Sequence, residues 1–187
     1  MKKIIALYGL AAAGKTTQAE LLAKKYGFYQ FGMGDRLRAE INSGSELGKK
    51  IADTVASGLL VSDDLITQVL QNIQEPAKKD GIIFDGFPRM IPQAKLLDKI
   101  LEEAELELDL LILLDITIEE AEKRIANRAE MTGRSDDKDR AVVNNRLEVF
   151  RQESQPLIAY YQEKGKFVKI DGSKNIEEVF AEIERNL

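Results

Sequence analysis

Residues 9–17 read Gly-Leu-Ala-Ala-Ala-Gly-Lys-Thr-Thr and fit G-x-x-x-x-G-K-[ST], the pattern of a phosphate-binding loop. That pattern requires a strand running into a tight loop and the loop into a helix. Both flanks are present. Ile4-Ile5-Ala6-Leu7-Tyr8 is an apolar run of the buried-strand type, and residues 18–25 are rich in helix formers, with Leu21 and Leu22 available for a buried face. Backbone N–H groups of such a loop curl into a nest, and the helix N-terminus adds partial positive charge. Gly9 and Gly14 allow close approach, Lys15 reaches β/γ-phosphates, and Thr16 or Thr17 offers a hydroxyl to Mg²⁺. The loop alone is shared by kinases, GTPases, ATPases and nucleotide-dependent switches.

The rest of the chain alternates. Residues 28–31 predict a second strand. Gly32-Met33-Gly34-Asp35 predicts a turn into a short helix over 36–41, and a second short helix covers Glu46–Ala56, so residues 32–61 read as a small helical excursion. Ser62 is a candidate N-cap for a helix over 63–74, ended near Pro76. Ile82-Ile83-Phe84-Asp85 predicts a third, fully buried strand, followed by a helix to about Ala104. A fourth strand is expected over 109–115. Thr117-Ile118-Glu119-Glu120 reads as a capping box for a helix to about Arg128. Residues 129–139 are polar around Gly133 and predict a mobile loop. Helices over 140–152 and 154–164, a strand over 166–170 and a last helix capped at Asn175 complete the chain. The expected fold is α/β: a five-stranded parallel sheet with helices on both faces, of the P-loop NTP hydrolase type. Such sheets bind ligands beyond the carboxyl ends of their strands, where Gly9, Asp85 and Asp115 all fall. Asp85 is placed to face a metal, although taken alone it reads equally as a turn residue.

The chain of 187 residues holds no histidine and no cysteine. No imidazole or thiolate can serve as base, nucleophile or metal ligand, so chemistry has to run on Lys, Arg, carboxylates, hydroxyls and backbone. Phosphoryl transfer can do so, because it needs positioning and charge neutralisation above all. The missing cysteines suit the cytoplasm. The net charge of −5 speaks against a general nucleic-acid binder. No run is long and apolar enough for a bilayer, and Met1-Lys2-Lys3-Ile4 enters a strand without a signal-peptide pattern.

The informative residues beyond the loop are Arg38, Arg89, Arg124, Arg128, Arg134 and Arg146. Each alone reads equally as a surface ion-pair partner, since 32 Asp and Glu face 27 Lys and Arg. As a set they fall in the segments that should rim a cleft above the loop.

Here the whole length of the chain resembles the short-form adenylate kinases. The most specific stretch is Asp85-Gly86-Phe87-Pro88-Arg89-Met90-Ile91-Pro92-Gln93. Gly34-Asp35-x-x-Arg38, Gly58-Leu59-Leu60-Val61-Ser62-Asp63, Arg124-x-x-x-Arg128, Gly133-Arg134-Ser135-Asp136-Asp137 and Asp171-Gly172-Ser173-Lys174 add to it. The resemblance implies reversible transfer from ATP to AMP. Lys15, Arg89, Arg128, Arg134 and Arg146 would be catalytic. Gly9, Ala12, Ala13, Gly14, Lys15, Thr16, Thr17, Arg128 and Lys174 would hold ATP. Met33, Arg38, Leu59, Leu60, Val61, Gly86, Phe87, Pro88, Arg89, Gln93, Arg134 and Arg146 would hold AMP. Mg²⁺ would sit at Thr16 and, through water, at Asp85, with no zinc. The core would be 1–31, 62–128 and 140–187, with 32–61 a nucleoside monophosphate-binding domain and 129–139 a short lid. No nucleic-acid, membrane or obligatory protein partner is implied.

The chain departs from the family's common loop, Gly-x-Pro-Gly-Ser-Gly-Lys-Gly-Thr, at Ala11, Ala12, Ala13 and Thr16. Met33 stands where a threonine usually touches the adenine. Gln93 favours AMP, while Met33 keeps a UMP/CMP or broad monophosphate kinase open as the alternative. A non-catalytic nucleotide switch is the third reading, against which Lys15, Asp85 and the arginines speak.

Overall fold

The computed structural model describes residues 3–70, 79–132 and 135–187. Among these, strands β1 (Lys3–Tyr8), β2 (Tyr29–Gly32), β3 (Gly81–Asp85), β4 (Leu110–Asp115) and β5 (Phe167–Asp171) form one sheet in the order β2-β3-β1-β4-β5. Every pairing is parallel. The helices are α1 (Lys15–Tyr26), α2 (Met33–Asn42), α3 (Glu46–Ala56), α4 (Asp63–Val69), α5 (Ile91–Glu103), α6 (Ile118–Thr132), α7 (Ser135–Lys138), α8 (Arg140–Glu163) and α9 (Ile176–Glu184).

The three central strands bury both faces, and alternation decides which core each side chain joins. Ile4, Ala6 and Tyr8 of β1 pack with Phe31, Phe84 and Leu157 on one face. Ile5 and Leu7 pack with Leu22, Ile83, Ile112 and Ile183 on the other. The central strand β1 therefore anchors two cores at once, as expected of a doubly covered parallel sheet. Its register pairs Leu7 with Asp85, so the start of the phosphate loop and the last residue of β3 lie side by side.

The elements depart from expectation where local signals mislead. Residues 33–35 form the first turn of α2, not a turn ahead of it, with Asp35 well placed against the helix dipole. Residues 129–132 extend α6 and 135–138 form α7, so this stretch is not the expected loop; Ala, Glu and Met are strong helix formers whatever their polarity. The two helices expected over 140–164 are one, α8, with Pro156 inside it. Proline removes one hydrogen bond, but Val143, Leu147, Leu157 and Tyr161 bury a single continuous stripe that spans both cores. Ser62 occupies the N-cap of α4 without a side-chain bond; its carbonyl accepts from Ile66 N at 2.9 Å instead. The expected end of that helix near Pro76 lies outside the described residues. Asn175 does form the full capping box with Glu178.

Helices α2 and α3 form the excursion beyond β2. They approach closely because Gly48 presents no side chain: a Cβ there would stand 2.2 Å from the Glu40 carbonyl oxygen. The far end of α3 is tied to α8. Asn145 Nδ2 donates to Ser57 O at 2.9 Å, and Gly58 lies against the Val142 carbonyl. We expect Gly48→Ala to cost about 1–3 kcal/mol through overpacking, measured as a lowered unfolding midpoint in urea; unchanged stability would show that the helix pair has slack.

Candidate active site

The loop after β1 lies against the sheet so closely that its first residue has no alternative. A Cβ on Gly9 would meet the Leu114 carbonyl oxygen at 2.5 Å, and φ there is +142°. Gly14 sits at the N-cap of α1 with no side-chain cap, and the first turn of that helix carries no acid. Its N–H groups and the positive end of its dipole are thus left for an anion. Ala12 adopts φ +62°, a left-handed conformation that costs a residue with a Cβ about 1 kcal/mol or more.

Lys15 folds back over the loop, donating to Gly9 O at 2.9 Å and Leu10 O at 2.6 Å. Burial lowers its pKa to about 8; the Asp85 carboxylate opposes this, and Arg89 and Arg128 add to it. Thr16 Oγ1 donates to Asp85 Oδ2 at 2.6 Å, and Asp85 is 8% exposed. This hydroxyl and carboxylate are hard oxygen donors that suit Mg²⁺. No cluster of three or more acidic side chains that could hold a metal alone occurs among the described residues. An ion here would therefore depend on water and on ligand phosphates, the usual habit of Mg²⁺.

A cleft of about 470 Å³ opens above the loop. It is lined by the loop itself, by Arg38, Leu59, Leu60, Asp85, Gly86 and Arg89, and by Arg124, Arg128 and Arg146. Arg89 Nε donates to Gly86 O at 2.8 Å, and its backbone N–H donates to Gln93 Oε1 at 2.9 Å. Burial, then the Arg146 guanidinium, push the Arg89 guanidinium down from its usual range, against the pull of Asp85. Arg128 grips Asp137 with two bonds of 2.7 and 2.9 Å, and Arg146 pairs with Asp136 and with Asp137 at 3.3 Å. The carboxylates of α7 thus hold two arginines over the cleft. Arg38 pairs with Asp35, and Arg124 with Glu120 and the Gly172 carbonyl.

The expected residues divide clearly. Gly9, Ala12, Ala13, Gly14, Lys15, Thr16, Thr17, Arg38, Leu59, Leu60, Gly86, Arg89, Arg128 and Arg146 meet in the cleft. Met33, Val61 and Phe87 do not line it; they are buried in the core beneath. Pro88 is buried too, and Gln93, 2% exposed, acts from below through Arg89. Lys174 is turned to solvent and paired with Glu182. Arg134 lies outside the described residues. Sequence reasoning missed Tyr8, Asp35, Val149 and Phe150, all of which line the cleft. Tyr8 directly precedes the loop, and Phe150 lies one turn beyond Arg146; those two spacings were the available signals.

A phosphate loop facing a second bank of arginines across one cleft places the fold among the P-loop phosphotransferases. Residues 7–166 match the family model for adenylate kinase, and the chain belongs to that family. It is 42% identical over 182 residues to an adenylate kinase of Parabacteroides distasonis, covering 96% of this chain and 94% of that one. It is likewise 42% identical to one from Hyphomonas neptunium, covering 97% and 96%, and 41% identical to one from Thermus thermophilus, covering 94% and 91%.

The depressed Lys15 pKa has a measurable consequence. A bound polyphosphate favours the charged amine and raises that pKa again, so binding between the two values takes up protons. At about pH 8.5, calorimetry of tripolyphosphate binding in buffers of different ionisation enthalpy should show uptake of a fraction of a proton, lost in Lys15→Met. Equal heats in all buffers for the unaltered protein would contradict the half-buried, partly neutral lysine.

Proposed function

We propose that the chain transfers the terminal phosphoryl group of ATP reversibly to AMP, giving two ADP, with the donor on the loop of residues 9–17 and the acceptor beneath Arg38 and Arg89. The supporting observation is the single cleft that joins the loop to this second cationic bank. An acceptor phosphate is already ionised near neutral pH and needs no base, which suits a protein without histidine.

Lys15 leaves the Gly9 and Leu10 carbonyls for the β/γ-phosphates. Arg128 and Arg146 exchange carboxylate for phosphate oxygens as residues 129–139, the lid, close, and water is excluded. Lys15, Arg89, Arg128, Arg134 and Arg146 then neutralise the phosphoryl group as it passes in line to the acceptor. Thr16 and, through water, Asp85 would hold the Mg²⁺ that accompanies ATP, which would offset charge on the β/γ-phosphates. Residues 32–61 form the monophosphate-binding domain, with Leu59 and Leu60 on the base and Gln93 holding Arg89 from below. Lys174 reaches the donor base only through its backbone, since its side chain faces solvent.

Among the described residues no helix is long and apolar enough to cross a membrane. We place the enzyme in the cytoplasm, as its lack of cysteine suits. Met33 brings no hydroxyl to this region and lies buried beneath the cleft; a UMP/CMP or broad monophosphate kinase is the second reading.

Purified protein with ATP·Mg²⁺ and AMP, CMP, UMP, GMP or dTMP in turn should form diphosphate fastest with AMP. No product with any acceptor would defeat the kinase reading, and a faster rate with CMP would defeat adenine preference. Arg89→Ala should lower kcat/KM for AMP by about 10³ or more while leaving far-UV circular dichroism unchanged; near-normal turnover would remove Arg89 from the mechanism.

A further inference from the structure

The mechanism does not use Tyr8, a polar side chain that lines the cleft. Tyr8 ends β1, directly before Gly9, and projects toward α8. Its ring stacks on Phe150, with centroids 5.3 Å apart and planes inclined by 28°. Phe150 lies one helical turn beyond Arg146 on the same face of α8. The stack therefore fixes the tyrosine ring beside the arginine bank rather than beneath the loop.

Tyr8 is 3% exposed and lines the cleft. Its hydroxyl finds no hydrogen-bond partner among the described residues, yet it is not one of the sealed, unpartnered side-chain atoms, which are Gln18 Oε1, Asp63 Oδ1 and Tyr161 Oη. A hydroxyl that is neither satisfied nor sealed opens on the cleft. A hydroxyl that faces the cleft without a protein partner is free to donate to a bound ligand.

The charges around it identify the ligand. Burial raises the phenol far above its usual pKa; the Arg89 guanidinium opposes this, and the Glu153 carboxylate adds to it. The phenol is thus a donor throughout the physiological range. Arg89 in turn feels Arg146 and Arg38, so the hydroxyl borders a cluster of cations on the acceptor side. A neutral donor among guanidinium groups suits an oxyanion.

We propose that Tyr8 is a phosphate-binding residue of the acceptor half of the cleft, its Oη–H donating to the phosphate of the nucleoside monophosphate alongside Arg89. This assignment rests on the phosphotransfer reading given above. Every nucleoside monophosphate carries that phosphate, so Tyr8 contributes affinity for the class and no preference among bases.

Tyr8→Phe keeps the ring and its stack and removes only the donor. Calorimetry should show AMP affinity falling about tenfold or more, with KM for AMP rising in step. Affinity for ATP, and for adenosine measured by competition, should stay within about twofold, as should the ratio of AMP to CMP turnover. Tyr8→Leu, which also loses the stack, should bind AMP no better than Tyr8→Phe. The proposal is overturned if folded Tyr8→Phe binds AMP as the unaltered protein does, if AMP and adenosine weaken equally, or if only Tyr8→Leu is impaired. Should the unaltered protein bind AMP but phosphorylate no monophosphate, the phosphotransfer reading falls, while the contrast between AMP and adenosine still decides the role of Tyr8.

Discussion

Cations gathered to attract phosphate repel one another when no phosphate is present. At an effective dielectric near 20, two unit charges 4 Å apart interact by about 4 kcal/mol, and Lys15, Arg89, Arg128 and Arg146 all face one cleft. Carboxylates make the arrangement tolerable. Asp85 sits at the Thr16 hydroxyl and draws on both Lys15 and Arg89. Asp137, with its side chain fully buried, is shared between Arg128 and Arg146. A four-residue helix has little stability of its own, so α7 owes its place to the arginines it neutralises. The same ion pairs hold the two guanidinium groups over the cleft.

The sheet turns this balance into a site. Because β1 and β3 pair in parallel with Leu7 opposite Asp85, the loop and the carboxylate emerge from the same edge, and the Thr16–Asp85 bond ties α1 to β3. A slip of one residue would present Phe84 in place of Asp85 and turn every side chain of the strand to the other core. Packing on both faces forbids that slip: Ile83 belongs to one cluster, Ile82 and Phe84 to the other. The precision of the site is thus inherited from the two hydrophobic cores beneath it.

Much of this was legible in the sequence, for a physical reason. The loop, Lys15, Thr16 and the strand ends are set by local spacing, and local spacing is what a chain displays. The Asp85 and Arg89 turn was readable from the apolar run before it. Less legible was anything decided by distant packing. Pro156 signals a helix break, but the continuous stripe from Val143 to Tyr161 overrides it. Met33, Val61 and Phe87 stand beside cleft residues in sequence yet are buried in the core; Val61 and Phe87 lie in connections between elements, where no period announces which way a side chain turns. Tyr8 reads as strand filling because its ring belongs to the core, and its place in the cleft is decided by packing against the distant Phe150.

The contact between the end of α3 and the start of α8 ties together two walls that the chain separates by some ninety residues. The wall bearing Leu59 and the helix bearing Arg146 are therefore latched directly across the mouth as well as through the sheet. Any outward swing of α3 must first unfasten Asn145 from Ser57. One such bond is worth only about 1 kcal/mol, roughly a fivefold bias in an equilibrium. A bond of that size draws the two walls together without fixing them rigidly.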